Sequence, residues 1–89
     1  MEKSLTRPEY RLFLAQLRKT RKEAGVSQAE LASRLGRTQS FVSKVERGER
    51  RLDVIELNVF CKALGISLVS FTKRFASAVH ASKSRKCKE

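Results

Sequence analysis

Gln28-Ala29-Glu30-Leu31-Ala32-Ser33-Arg34-Leu35-Gly36-Arg37-Thr38-Gln39-Ser40-Phe41-Val42-Ser43-Lys44-Val45-Glu46 is the stretch on which the fold turns. Two short helices that meet at a tight turn need three things. These are a small residue where the axes approach, a glycine at the turn, and branched apolar residues that anchor the second helix. Ala32, Gly36, Val42 and Val45 supply them in that order. The spacing predicts helices over about 28–35 and 39–47, each near two turns and marginal in isolation. If Val42 and Val45 face inward, then Gln39, Ser40, Ser43 and Lys44 are left facing outward from the start of the second helix. Phe41 has two readings, packing on the scaffold or offering its ring to a partner.

Outward from this segment, Gly25, Gly36, Gly48 and Gly65 each follow an apolar run of helical spacing. That is the position where a chain leaves a helix in the left-handed conformation. They divide the chain into five helices. Thr6 with Glu9, Ser27 with Glu30 and Asp53 with Glu56 fit the reciprocal capping pattern, Thr38 can cap without a returning acid, and Pro8 suits a first turn. The first helix, about 7–24, places Phe13, Leu17, Thr20 and Ala24 on one face, expected to be buried. The fourth, about 54–64, has a stripe of Val54, Leu57, Cys61 and Leu64 with Phe60 beside it, while Ile55 and Val59 lie off that stripe. The fifth runs from Ser67 to about His80 and carries Leu68, Phe71, Phe75 and Val79. One domain over 7–80 follows, with a basic tail over 81–89 that has little to bury and is expected to be disordered.

Four pieces of this sequence, taken together, are specific: Gly25-Val26-Ser27-Gln28, Leu31-Ala32, Ser43-Lys44-Val45-Glu46-Arg47-Gly48 and Ala63-Leu64-Gly65-Ile66-Ser67. Through them residues 14–71 resemble the Cro/C1-type, XRE-like helix-turn-helix family of phage repressors and bacterial transcriptional regulators. The resemblance implies an all-α, five-helix bundle of the lambda-repressor-like type that binds double-stranded DNA in the major groove. It implies that Gln28 touches a phosphate and braces Gln39. Gln39 and Ser40 then face base edges, with Ser43 and Lys44 one turn further on. It also implies that Arg21 pairs with Glu46 to tie the scaffold to the reader. A glutamine amide can pair with adenine and a lysine can donate to guanine, so the residue types suit the task. Two positions depart from the family pattern, Arg37 at a turn site that is often apolar and Thr20 at one that is often leucine.

Composition agrees with a polyanion partner. The 89 residues carry 20 Lys and Arg against 9 Asp and Glu, a formal charge of +11, which attracts nucleic acid or anionic surfaces. From Arg34 to Arg51 there are six bases and two acids, so Arg37, Arg47, Arg50 and Arg51 join Gln28 as expected phosphate contacts. Arg18, Lys19 and Lys22 read as the solvated face of the first helix, with phosphate contact by one of them the lesser reading. No run approaches the roughly 18 apolar residues of a membrane span, and no signal-peptide pattern opens the chain, so the expected setting is the cytoplasm. Cys61 and Cys87 lie in dissimilar surroundings, which argues against a disulfide, and with His80 they do not make a zinc set. His80 has no acid near it in sequence, so neither an enzyme nor a cofactor is expected. The stretch from Leu52 to Thr72 holds only Asp53, Glu56 and Lys62 as charges. It is the expected surface for a homodimer partner, or for a toxin if the chain is an antitoxin. The reading from another class is a protein- or RNA-binding adaptor.

Overall fold

Ser27 ends the first interhelical turn by accepting the Glu30 N–H on its Oγ at 3.0 Å, and the same device recurs along the chain. Thr38 Oγ1 accepts from Phe41 N–H at 3.1 Å, Asp53 Oδ1 from Glu56 N–H at 2.8 Å, and Ser67 Oγ from Ser70 N–H at 3.0 Å. Each satisfies a donor that the first turn of a helix leaves unpaired. The elements so defined are α1 (Pro8–Glu23), α2 (Gln28–Leu35), α3 (Gln39–Glu46), α4 (Val54–Ala63) and α5 (Leu68–Cys87). The computed structural model describes residues 7–87, with side chains through Ser82, and among these residues there is no strand. No single helix of the described residues is long and apolar enough to cross a membrane.

At Asp53 the capping is reciprocal, because Glu56 Oε1 accepts the Asp53 N–H at 3.0 Å. Asp53→Ala is therefore expected to cost about 1 kcal/mol in urea unfolding, with no loss of helix content at low denaturant. Gly36 closes α2 at φ 68°, a left-handed value that a Cβ disfavours. This conformation lets the chain reverse into α3 within two residues.

The core collects Leu17, Val26, Leu31, Ala32, Val42, Val45, Leu57, Phe60, Cys61, Leu64 and Phe71. α2 packs on α3, α1 lies against α5, and α4 touches α2 and α5. Tyr10, Phe13, Phe71 and Phe75 form an aromatic seam between the first and last helices, with ring centroids 5.4 to 5.9 Å apart. Cys61 is free and 1% exposed. Burial raises its thiol pKa, so it behaves as a small apolar filler.

Four sequence expectations change. The buried stripe of α1 is Leu14, Leu17, Thr20 and Arg21; Phe13 is only half-buried and Ala24 is exposed. The stripe turns this way because Arg21 is drawn inward to Glu46. The cap of α1 falls on Arg7, whose side chain makes no capping bond to the first turn, because Pro8 is the first helical residue; Thr6 lies outside the described residues. Val54 is 60% exposed, and the buried side of α4 is Leu57, Phe60 and Cys61. Finally, α5 continues through residues 81–87 instead of ending near His80. No Gly or Pro lies between Leu68 and Cys87, and Ala, Lys and Arg favour helix, so nothing local stops it.

Candidate nucleic-acid interface

Val42 and Val45 are completely buried and fix the rotation of α3 about its axis. At 100° of turn per residue, that rotation sends Ser40, Ser43 and Lys44 to the far side and Gln39 to its edge. Gln39, Ser40 and Lys44 are exposed there and Ser43 is half-buried. The structure thus gathers all four expected base-reading residues on one face. Ser43 is already engaged, for its Oγ accepts from the Arg47 guanidinium.

Glu46, the last residue of α3, fastens that helix to the rest of the fold. Its carboxylate takes Arg21 in a fork, with Nε to Oε2 at 2.7 Å and Nη2 to Oε1 at 3.1 Å. Both side chains are almost wholly buried, at 9% and 2% exposure. Arg21 Nη1 also donates to the Val26 carbonyl at 2.9 Å, so a single guanidinium joins α1, the α1–α2 turn and α3. Arg18 adds a further tie through Nη1, which donates to the Glu46 carbonyl at 3.0 Å and satisfies one of the acceptors left over at the end of α3. Sequence reading left Arg18 on the solvated face of α1. Its spacing of three from Arg21 was the available signal.

Gln28 takes a different partner from the one the resemblance implied. Its Nε2 donates to Glu46 Oε1 at 3.0 Å, where the expectation was a brace on Gln39. An ionised carboxylate is a stronger acceptor than an amide oxygen, and Glu46 stands within reach. The half-buried Gln28 side chain therefore completes the Glu46 cluster.

The other four expected phosphate contacts are Arg37, Arg47, Arg50 and Arg51. Arg37 and Arg50 hold their guanidinium carbons 3.8 and 5.1 Å from the Phe41 ring centroid. That ring lies 6.1 Å from the Phe60 ring, at the mouth of a cleft lined by Leu35, Ile55 and Val59. Phe41 is half-buried and packs against the core, as its scaffold reading expects. Arg50 also forks onto Glu56, with Nη1 to Oε1 at 3.2 Å and Nη2 to Oε2 at 2.8 Å. Those bonds, with the Asp53 N–H, bring the Glu56 carboxyl down to about 2. Arg47 forks onto Glu49, both distances 3.1 Å, and the bond holds the Glu49 carboxyl below the usual range. Arg51 is exposed and stands 5.8 Å from the Tyr10 ring. Open ion pairs of this kind contribute little to stability, so their guanidiniums can change partners at small cost.

Comparison with known proteins agrees with this architecture. A helix-turn-helix domain family profile matches residues 12–70. Among curated proteins, the uncharacterized HTH-type transcriptional regulator y4dJ of Sinorhizobium fredii is 43% identical over 49 residues, 55% of this chain. That match spans 64% of the relative's own length. An XRE-family like protein from Pseudomonas syringae pv. tomato superposes with a TM-score of 0.74 at 46% identity, over 79% of this chain and 85% of the other. A variant of the restriction-modification controller protein C.Esp1396I gives 0.72 at 26% identity, over 76% and 91%. The clp gene regulator ClgR of Corynebacterium glutamicum gives 0.70 at 28% identity, over 86% and 84%. The profile covers well over half of the chain and the folds coincide, so this protein belongs to the XRE-like helix-turn-helix family.

Proposed function

We propose that the chain is a transcriptional regulator, acting as a repressor in the cytoplasm, that reads a palindromic operator in the major groove as a homodimer. One observation carries the reading. Gln39, Ser40, Ser43 and Lys44 share the outward face of a short helix whose scaffold is locked by the buried Arg21–Glu46 pair. A helix is about 10–12 Å across and the major groove about 12 Å wide, so α3 fits with its flanks at the phosphate ridges. On this reading Arg37, Arg47, Arg50 and Arg51 supply the sequence-independent electrostatic attraction at those ridges, and Gln28 adds a neutral hydrogen bond to a phosphate.

Pairing is supported by an apolar surface on α4 and α5, where Val54, Ile55, Val59 and Val69 are 60%, 71%, 48% and 68% exposed. Two readers held about one DNA turn apart, roughly 34 Å, would bind both halves of a palindrome. The same surface suits a toxin, which is the second reading. Sedimentation of the purified chain separates them: a dimer at micromolar concentration supports the first, and a monomer both free and on DNA removes it.

Selection of preferred sites from random duplexes tests the function directly. The expected result is a symmetric site with half-sites about 10 base pairs apart; equal affinity for all sequences would overturn the proposal. Within the selected site, Gln39→Ala is expected to lose about 1–3 kcal/mol and relax one base position. Arg50→Ala should weaken binding to every sequence alike and flatten the plot of log affinity against log salt by about one unit.

A further inference from the structure

A basic concavity lies between α1 and the end of α3 and shares no lining residue with the cleft at Phe41. It has a volume of about 640 Å³ and is lined by Arg11, Leu14, Arg18, Glu46, Arg47 and Glu49. Leu14 is buried beneath it, and Arg11 and Arg18 rise from the exposed face of α1 on either side. Seven residues separate these two arginines, which places them about 10.5 Å apart along the helix. Arginines that far apart meet two separate phosphates and do not share one.

The charge balance within the cleft favours an anion. The Glu46 carboxylate is neutralised by Arg21 on its inner side. The last turn of α3 would repel an anion through its free carbonyls, but Arg18 donates to one of them, the Glu46 oxygen. Arg47, the C-cap of the same helix, stands at the rim. Glu49 is the remaining exposed acid, and it holds Arg47 in a two-pronged fork. A phosphate offers the same planar pair of acceptors to a guanidinium. Glu49 and a backbone phosphate are thus competitors for one group.

We propose that this α1–α3 cleft is a DNA-backbone clamp in which Arg11, Arg18 and Arg47 take the phosphates beside the groove that α3 enters, with Glu49 as a built-in competitor. It extends the protein's footprint from the helix-turn-helix to the first helix. The inference rests on the DNA-binding reading above. Arg18 is a positioning residue as well as a contact, because it also anchors the end of α3.

The test is the salt dependence of binding of the full chain to its selected duplex and to a random duplex, for the wild type, Arg11→Gln, Glu49→Gln and Lys62→Gln. Lys62 is exposed on α4 and lines no part of the cleft. Arg11→Gln is expected to weaken both duplexes by the same factor and lower the salt slope by about one. Glu49→Gln is expected to tighten both by about two- to five-fold, the range for release of an open ion pair. Lys62→Gln should leave the slope where it is. A selective wild type whose slope is the same in Arg11→Gln, or whose affinity is unmoved by Glu49→Gln, overturns the clamp and leaves the reader standing. A wild type that prefers no sequence overturns the reader instead, and the Arg11→Gln slope on random duplex then decides the clamp alone.

Discussion

Glu46→Ala is expected to lower folding stability by about 3–5 kcal/mol, because it leaves the Arg21 guanidinium buried without a counter-charge. Arg21 is only 8% exposed, so the stranded charge cannot regain water without opening the α1–α3 contact. The variant also removes the acceptor for the Gln28 amide. Urea unfolding followed by far-ultraviolet circular dichroism measures the loss, and a change below about 1 kcal/mol would show that the pair is not the lock described. The double variant Arg21→Met with Glu46→Leu is the informative control. Replacing both charges by apolar groups of similar size restores much or all of the stability. It does not restore the fork that orients α3, so the double variant should fold and yet bind the selected duplex more weakly than the wild type.

Phe60→Ala should cost a similar amount, about 3–5 kcal/mol, for a different reason. Its ring is 2% exposed within the main core and supports Phe41 across the cleft. Deletion removes the transfer free energy of the ring and leaves a cavity that neighbours fill only in part. A domain of this size has about 5–15 kcal/mol in total, so the variant should unfold near or below ordinary growth temperatures. Thermal denaturation reads this directly. If the melting temperature moves by only a few degrees, α4 must settle onto α2 more freely than the packing suggests.

The sequence made the reader legible because its geometry is local. Val42 and Val45 at a spacing of three fix which way Gln39, Ser40, Ser43 and Lys44 must point, and Thr38 and Gly36 mark where the helices meet. What stayed hidden was long-range. Period alone put Ala24 on the buried face of α1, whereas the face is set by Arg21 reaching Glu46, twenty-five residues away. The Arg21–Glu46 pair itself came from family resemblance, since no helical spacing joins α1 to α3. The partner of Gln28 was missed for the same reason: hydrogen bonds between elements depend on their docking, and pattern within one element does not report it. Phe41 could be placed only once Phe60 and Arg37 were seen on either side of it.

The aromatic seam between α1 and α5 carries a cost that no list of its contacts shows. Phe13 and Phe71 meet across 58 residues of chain, and closing a loop of that length removes conformational freedom worth roughly 3–4 kcal/mol beyond the fixed part of the penalty. One edge-to-face ring pair returns only about 0.5–1.5 kcal/mol beyond its buried area. Two such pairs cross from α1 to α5, Phe13 with Phe71 and Phe13 with Phe75, and the apolar area buried there must supply the rest. The seam is where the chain, having built its reader from nearby residues, meets the entropy of bringing its two distant helices together.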